Sequence, residues 1–251
     1  MLERIEHDDI LEIRLARPPV NALSPELVHE LTQALTQAPN DGARAIVLSG
    51  SPGMYSAGLD VPALLALDKT AMREFWKHFF GLIGAIAASP IPVAAAITGH
   101  SPAGGAVLAL FCDYRVIAED DNFRIGLNEV QVGLPLPAII HATLLRQLGP
   151  RQAERLAVPG LLIDPIEAQR IGLVDELASV ADVVSRAREW CAQLLKLPQG
   201  AMLATRDLAR ADLVGLFGTL GDADYDRMTT AWFGDETQAT MQALVARLKK
   251  K

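Results

Sequence analysis

Ile91-Pro92-Val93-Ala94-Ala95-Ala96-Ile97, then Thr98-Gly99-His100-Ser101-Pro102-Ala103-Gly104-Gly105, then Ala106 to Cys112, place a strand, a corner and a helix in one stretch. The apolar run at 91 to 97, punctuated by prolines, reads as a buried strand. The small residues at 99 to 105 let backbone come close to a neighbour, and the apolar run from Gly104 reads as a short helix. Such a helix start leaves N–H groups without partners, with the positive end of the helix dipole behind them. That is the geometry of an anion or oxyanion site. A tight helix–strand packing corner would ask for the same glycines, so the corner alone does not choose between the two.

A second corner repeats the arrangement. Ala45 to Leu48 is a short buried strand that runs into Ser49-Gly50-Ser51-Pro52-Gly53, and the loop continues through Met54-Tyr55-Ser56-Ala57-Gly58-Leu59-Asp60. One amide from each corner could hold the oxygen of a thioester as it becomes an enolate, and a preorganised donor of that kind contributes roughly 3 kcal/mol.

Around these corners the chain alternates strands and helices. Ile10 to Leu15 sets Ile10, Glu12 and Arg14 against Leu11, Ile13 and Leu15, the period of a half-buried strand that Pro18-Pro19 ends. Ser24-Pro25-Glu26 supplies a cap, an N1 proline and an early acid ahead of Leu27, Val28, Leu31 and Leu35, which predicts a helix with one apolar face. Phe75, Phe79, Leu82 and Ile86 lie at helical spacing between Thr70 and Ser89, and Tyr114 to Ala118 reads as a further strand. Helical patterns follow, including Ala181 to Leu195 and an amphipathic tail from Glu236 to Leu248. No Pro/Ser-rich linker or charge block marks a boundary, so one large domain is expected.

Composition narrows the function classes. With 251 residues, half of them hydrophobic, the chain can bury roughly three quarters of its unfolded surface. A formal charge of −7 with 23 dispersed basic residues gives no footprint for nucleic acid. No apolar stretch approaches the roughly 20 residues of a membrane span. Cys112 and Cys191 stand apart from each other and from any Cys/His cluster, which argues against a disulfide framework and a zinc site. Two reduced thiols and an acidic, polar amino terminus suit a cytoplasmic protein without a targeting leader. The motifs for dinucleotides, nucleoside triphosphates and catalytic zinc are missing.

Two side-chain candidates remain. Gly99-His100-Ser101-Pro102-Ala103 is close to the Gly-x-Ser-x-Gly elbow of serine hydrolases, but the residue after the serine must donate an oxyanion N–H, and Pro102 has none. Ala103 also replaces the last glycine, and His141 is the only histidine after Ser101. The other candidate is Glu129, in Ile125-Gly126-Leu127-Asn128-Glu129-Val130-Gln131-Val132-Gly133-Leu134-Pro135. Composition alone assigns it to a solvated loop, whereas burial among those apolar neighbours would raise its pKa toward working pH. Glu119, Asp120 and Asp121 read as a solvated turn.

Three segments together resemble the crotonase family, the enoyl-CoA hydratase/isomerase superfamily. They are Met54-Tyr55-Ser56-Ala57-Gly58-Leu59-Asp60, then Pro102-Ala103-Gly104-Gly105 with Leu110-Phe111-Cys112-Asp113, and Gly149 to Glu176. The resemblance implies an α/β fold, a spiral of ββα repeats over residues 1–195, with a C-terminal helical region over 196–251 that packs on the core and on neighbouring subunits as a homotrimer or hexamer. It implies that the N–H groups of Leu59 and Gly104 form an oxyanion hole, and that Ser56, Ala57, Gly58, Asp60 and Val61 line the coenzyme A site. The substrate it implies is an acyl-CoA thioester, with no metal and no separate cofactor, coenzyme A being part of the substrate.

A departure from the family pattern is as informative. Hydratases of the family carry a glutamate in the helix after the glycines, where this chain has Val107, while Glu129 falls on the second carboxylate position. Hydration needs a water oriented by a carboxylate pair, and moving a double bond needs one base. The combination resembles the mitochondrial-type Δ3-Δ2-enoyl-CoA isomerases, which share runs like Ser101-Pro102-Ala103-Gly104-Gly105 and Ile125-Gly126-Leu127-Asn128-Glu129. It implies that Glu129 shifts the double bond of a 3-enoyl-CoA in fatty acid β-oxidation. Enoyl-CoA hydration or another crotonase reaction on acyl-CoA and, on Ser101, serine hydrolysis are the alternatives.

Overall fold

A computed structural model describes residues 1–248. Its elements begin with β1 (Leu2–His7), β2 (Ile10–Leu15), α1 (Pro25–Gln37), β3 (Ala45–Ser49), β4 (Gly53–Met54), α2 (Val61–Leu64) and α3 (Lys69–Ala87). Next come β5 (Val93–Ile97), β6 (Gly99–Pro102), α4 (Gly104–Leu110), β7 (Tyr114–Ala118), β8 (Ile125–Gly126) and a 3-10 turn at Glu129–Val132. The remainder is α5 (Ala138–Ala157), α6 (Pro165–Arg170), β9 (Glu176–Ala178), α7 (Val183–Leu195), α8 (Gln199–Gly215), α9 (Asp222–Trp232) and α10 (Asp235–Leu248).

Two sheets grow side by side. The larger has the order β1-β2-β3-β5-β7-β9, antiparallel at β1/β2 and parallel thereafter. The smaller, β4-β6-β8, is parallel throughout. Each circuit therefore lays down one strand of the large sheet, one short strand of the small sheet, and a helix. This is the spiral of ββα repeats, and it delivers the loops after β4, β6 and β8 to the same edge.

The large sheet is covered on both faces, so its central strands are buried along their whole length, as in other parallel sheets. Leu11, Ile13, Ile46, Leu48, Ala95 and Ile97 face α1, α3 and α4, while Ile10, Val47, Ala94, Ala96 and Val116 face α7. This overturns the half-buried reading of β2. Glu12 is only 1 % exposed, because α7 roofs its face. Burial pushes its pKa up, but hydrogen bonds from Ser49 (2.6 Å) and His7 (2.9 Å), with the Arg14 guanidinium beside it, bring it below the usual value.

Local signals hold elsewhere. Ser24 caps α1 by accepting from the Leu27 N–H at 3.3 Å, with Pro25 in the first turn. The strand before the glycine corner starts at Val93 rather than Ile91, since Pro90 and Pro92 have no N–H to give a ladder.

The C-terminal helices are fastened by charge. Arg206 pairs with Asp113 at 2.8 Å, and Arg210 donates to the Phe111 carbonyl at 2.6 Å, which pins α8 to the end of α4. Arg73 on α3 holds Asp222 and Asp226 of α9, both at 2.6 Å. Cys112 and Cys191 are free and buried, and burial pushes both thiols up to about 12, so they act as small apolar residues. No helix among the described residues is long and apolar enough to cross a membrane.

Candidate active site

The first corner is shaped by bare backbone. Gly53 pairs with Gly99 across β4 and β6, and a Cβ on Gly99 would lie 2.0 Å from the Gly53 carbonyl carbon, so only glycine allows the approach. Beyond it, residues 55 to 60 are held by the segment at 17 to 24. Asn21 gives its side-chain amide to the carbonyls of Met54 and Tyr55, both at 3.1 Å, and Ser56 donates to the Asn21 carbonyl at 2.8 Å. Ala57 N–H reaches Val20 O at 2.9 Å, Leu23 N–H reaches Gly58 O at 2.8 Å, and Asp60 N–H reaches Leu23 O at 3.1 Å. In this ladder the Leu59 N–H has no acceptor among the described residues.

The second corner leads from β6 into α4. Ala103 adopts φ 46°, ψ −120°, a region that favours glycine, and is kept there by its N–H bond to Gly126 O at 2.8 Å. Such strain costs about 1–3 kcal/mol and persists only where surroundings enforce it. Its result is that Gly104, first residue of the helix, presents an N–H with no acceptor among the described residues.

The two corners meet. A Cβ on Gly58 would stand 2.9 Å from the Gly104 nitrogen, and one on Gly105 would stand 2.4 Å from the Ser56 carbonyl oxygen. Leu59 and Gly104 both line one cavity of about 660 Å³.

Glu129 borders the same cavity, which corrects the solvated-loop reading. Its Oε2 is closed off from solvent and has no hydrogen-bond partner among the described residues. Burial raises its pKa from 4.5 to about 7, the range in which a carboxylate can take and return a proton near neutrality. The turn that carries it is fixed from below: Ile125 exchanges both backbone bonds with Ile163 at 3.0 Å, and the Gln131 amide donates to Gly160 O at 2.8 Å.

Val107 is 1 % exposed and lines the cavity one turn into α4. The other carboxylate on the wall, Asp60, is committed: one oxygen caps α2 through Ala63 N–H at 3.1 Å, and the other pairs with Arg17 at 2.5 Å. Glu129 is thus the one described carboxylate on the wall free of an ion pair and a side-chain hydrogen bond.

Of the expected coenzyme A contacts, Ala57, Asp60 and Val61 lie on the wall. Ser56 and Gly58 do not. The Ser56 side chain is fully buried, its hydroxyl accepting from Gly58 N–H at 3.2 Å, and Gly58 is the spacer against Gly104, so both shape the loop without facing the cavity. The serine-hydrolase alternative fails on geometry. Ser101 is fully buried with no hydrogen-bond partner, while His141 is exposed on α5, so no base reaches the hydroxyl.

No local sequence signal marks the far end of the cavity. It is closed by Trp76 and Phe79 of α3, Met228 and Trp232 of α9, and Met241 and Leu244 of α10. Trp76 and Trp232 meet edge to face, with centroids 6.2 Å apart. The tail helices of this chain therefore complete its own apolar pocket, and at the other end Arg17, Pro18, Pro19 and Pro62 lie toward solvent. The arrangement suits a ligand with an apolar tail, a carbonyl at the paired amides and a bulkier group at the mouth.

Comparisons with known proteins agree with this fold. Residues 6–248 match the model of the enoyl-CoA hydratase/isomerase family. The chain is 34 % identical over 241 residues to human mitochondrial enoyl-CoA delta isomerase 1, covering 95 % of this chain and 80 % of that protein. It is 33 % identical over 193 residues to a probable enoyl-CoA hydratase, EchA17, of Mycobacterium bovis, covering 76 % and 73 % of the two chains. The crystal structure of human mitochondrial Δ3-Δ2-enoyl-CoA isomerase superposes with a TM-score of 0.94 at 33 % identity, covering 99 % and 98 %.

Proposed function

Since the chain belongs to the enoyl-CoA hydratase/isomerase family, we propose that it is a Δ3-Δ2-enoyl-CoA isomerase with Glu129 as its single base. The observation that carries the reading is the pairing of one unpartnered carboxylate with Val107, a residue that can neither orient nor activate a water. The likeness to proteins named as isomerases supports it.

The acyl-CoA thioester lies with its carbonyl oxygen between the Leu59 and Gly104 N–H groups. Glu129 removes a proton from C2, and the electron pair moves into the carbonyl as the C3–C4 double bond becomes conjugated, giving a dienolate. The two amides stabilise the charge on oxygen, in a site from which the apolar walls exclude water. The protonated Glu129 then returns the proton at C4, leaving the 2-enoyl-CoA. The base ends as it began, and no atom is gained or lost.

Arg17 and Asp60, at the mouth, face the coenzyme A portion, and the Trp76/Trp232 end takes the acyl tail. We infer a homotrimer or hexamer, supported by exposed apolar side chains such as Leu208 (79 %) on α8 and Leu145 (38 %) on α5. The cytoplasmic assignment rests on the reduced thiols, whereas the human relative is named as mitochondrial.

Incubation with a 3-enoyl-CoA, followed by the ultraviolet absorbance of the conjugated thioester, is expected to show turnover between about 1 and 10³ per second. Hydration of 2-enoyl-CoA should be slower by orders of magnitude. Rapid loss of 2-enoyl-CoA, with no conversion of the 3-enoyl compound, would make the chain a hydratase and remove Glu129 from the role of sole base.

A further inference from the structure

The Glu129 Oε2 has no hydrogen-bond partner among the described residues, and the carboxylate is steadied only by the Glu129 backbone N–H, so the turn beneath it determines where it sits. The approach to that turn is held by Ile163, which pairs with Ile125, and its middle by Gly160, whose carbonyl accepts from the Gln131 side chain. Its carboxy-terminal side ends at Gly133, which has φ 77° and closes the turn with a long 3.2 Å bond from its N–H to Val130 O.

Here a distant part of the chain takes over. Thr237, 4 % exposed in the first turn of α10, donates its hydroxyl to the Gly133 carbonyl at 2.6 Å. The contact is backbone-close, since a Cβ on Gly133 would come within 2.9 Å of the Thr237 Cα. The same helix carries Thr240, Met241 and Leu244 on the cavity wall. One helix thus both closes the acyl pocket and grips the end of the turn that bears Glu129.

We propose that Thr237 is a positioning residue, its hydroxyl fixing the Gly133 carbonyl and through it the height of the Glu129 carboxylate over the acyl chain. The proposal rests on the isomerase reading above. Thr237 is not on the cavity wall, and it acts on the turn through the Gly133 carbonyl. Without the hydroxyl the turn keeps its closing bond from Leu134 N–H to Glu129 O at 3.0 Å but loses the hydrogen bond that ties it to α10, and the carboxylate swings over a wider arc. Misplacement by about an ångström can lower a rate by 10²-fold.

The test uses the full-length protein with two variants. Thr237→Val keeps the shape and removes the donor, and Thr237→Ser restores the donor without the methyl group. Turnover of 3-enoyl-CoA by the wild type is measured first, and its absence would overturn the isomerase reading itself. Given wild-type turnover, Thr237→Val is expected to lower kcat about tenfold with KM little changed. Thr237→Ser should return kcat to within about twofold of wild type, and amide hydrogen exchange of residues 129 to 134 should quicken only in Thr237→Val. Wild-type kcat in Thr237→Val would overturn the positioning role even if exchange quickened. An equal loss in Thr237→Ser would do the same, by showing that the hydroxyl is not the group that matters.

Discussion

Glu129→Gln is expected to lose about 10²- to 10⁴-fold in kcat for the double-bond shift, the contribution of a positioned general base, and yet to be more stable than wild type above neutral pH. The amide keeps the shape of the side chain and cannot take the C2 proton. The gain in stability follows from the same burial that tunes the base. Raised from 4.5 to about 7, the carboxyl holds its proton more tightly folded than unfolded. Wild-type stability therefore falls as pH rises between those values and levels off above the higher one. The shift corresponds to an upper value on the order of 3 kcal/mol. Glutamine removes that fall, so the two proteins should unfold alike below about pH 4.5 and diverge fully above about pH 8 in denaturant titrations. On the activity side, wild-type kcat/KM should climb to a plateau above about pH 7, where the free base is ionised. Full activity in Glu129→Gln would remove the base from the mechanism, and parallel stability curves would show that the carboxylate is hydrated in the folded chain.

The second large effect concerns the paired amides. Gly105→Ala places a methyl group 2.4 Å from the Ser56 carbonyl oxygen and 3.0 Å from Ser101 Oγ. The first of these is backbone and cannot rotate away, so the loop at 56 to 59 must move off the start of α4, drawing the Leu59 N–H away from Gly104. Loss of one such donor costs about 10²–10³ in kcat. Overpacking should add about 1–3 kcal/mol of destabilisation, small enough for a chain of this size to remain folded. Gly81→Ala is the control: Gly81 lies within α3, nothing stands within 4 Å of its added Cβ, and the change should leave kcat intact while stabilising the helix by about 0.5–1 kcal/mol. Wild-type turnover in Gly105→Ala would mean that the corner is a packing device and not an oxyanion hole.

How far the sequence carries this account depends on the length scale of each signal. β2 and β7 have the residues that alternation and β-branching assign to them, and α1 starts where its cap and proline place it. These are local effects. The small sheet was invisible because β4 and β8 have only two residues each, too few for any periodicity, and the glycines at 53 and 99 that allow it read equally well as loop residues. Glu12 reads as solvent-facing because alternation cannot say that a helix more than 170 positions later will cover the strand. The site divides the same way. The glycines of both corners were legible, since a close approach of backbones demands them. The role of Asn21, which braces the 54-to-56 segment from φ 50°, could have been suspected from an asparagine tolerant of that conformation just after Pro18-Pro19. The motif puts Ser56 on the coenzyme A loop but cannot say that its hydroxyl turns inward to the Asn21 carbonyl, because a motif gives position and not the direction of a hydroxyl. Composition places Glu129 in a solvated loop and only the family resemblance makes it a base, because the turn that bears it packs against α10 and no pattern near residue 129 reports that helix. Thr237 lies beyond any local signal for the same reason.

All of this converges on one geometric claim, that the thioester oxygen sits between two backbone amides with Glu129 facing the carbons between which the proton moves. A crystal structure of the chain with a 2-enoyl-CoA bound tests it most directly. The account predicts the thioester oxygen at about 2.7–3.1 Å from both Leu59 N and Gly104 N, and the Glu129 carboxylate within hydrogen-bond reach of both C2 and C4. A carbonyl turned away from the two amides, or a Glu129 carboxylate that reaches only one of the two carbons, would contradict it.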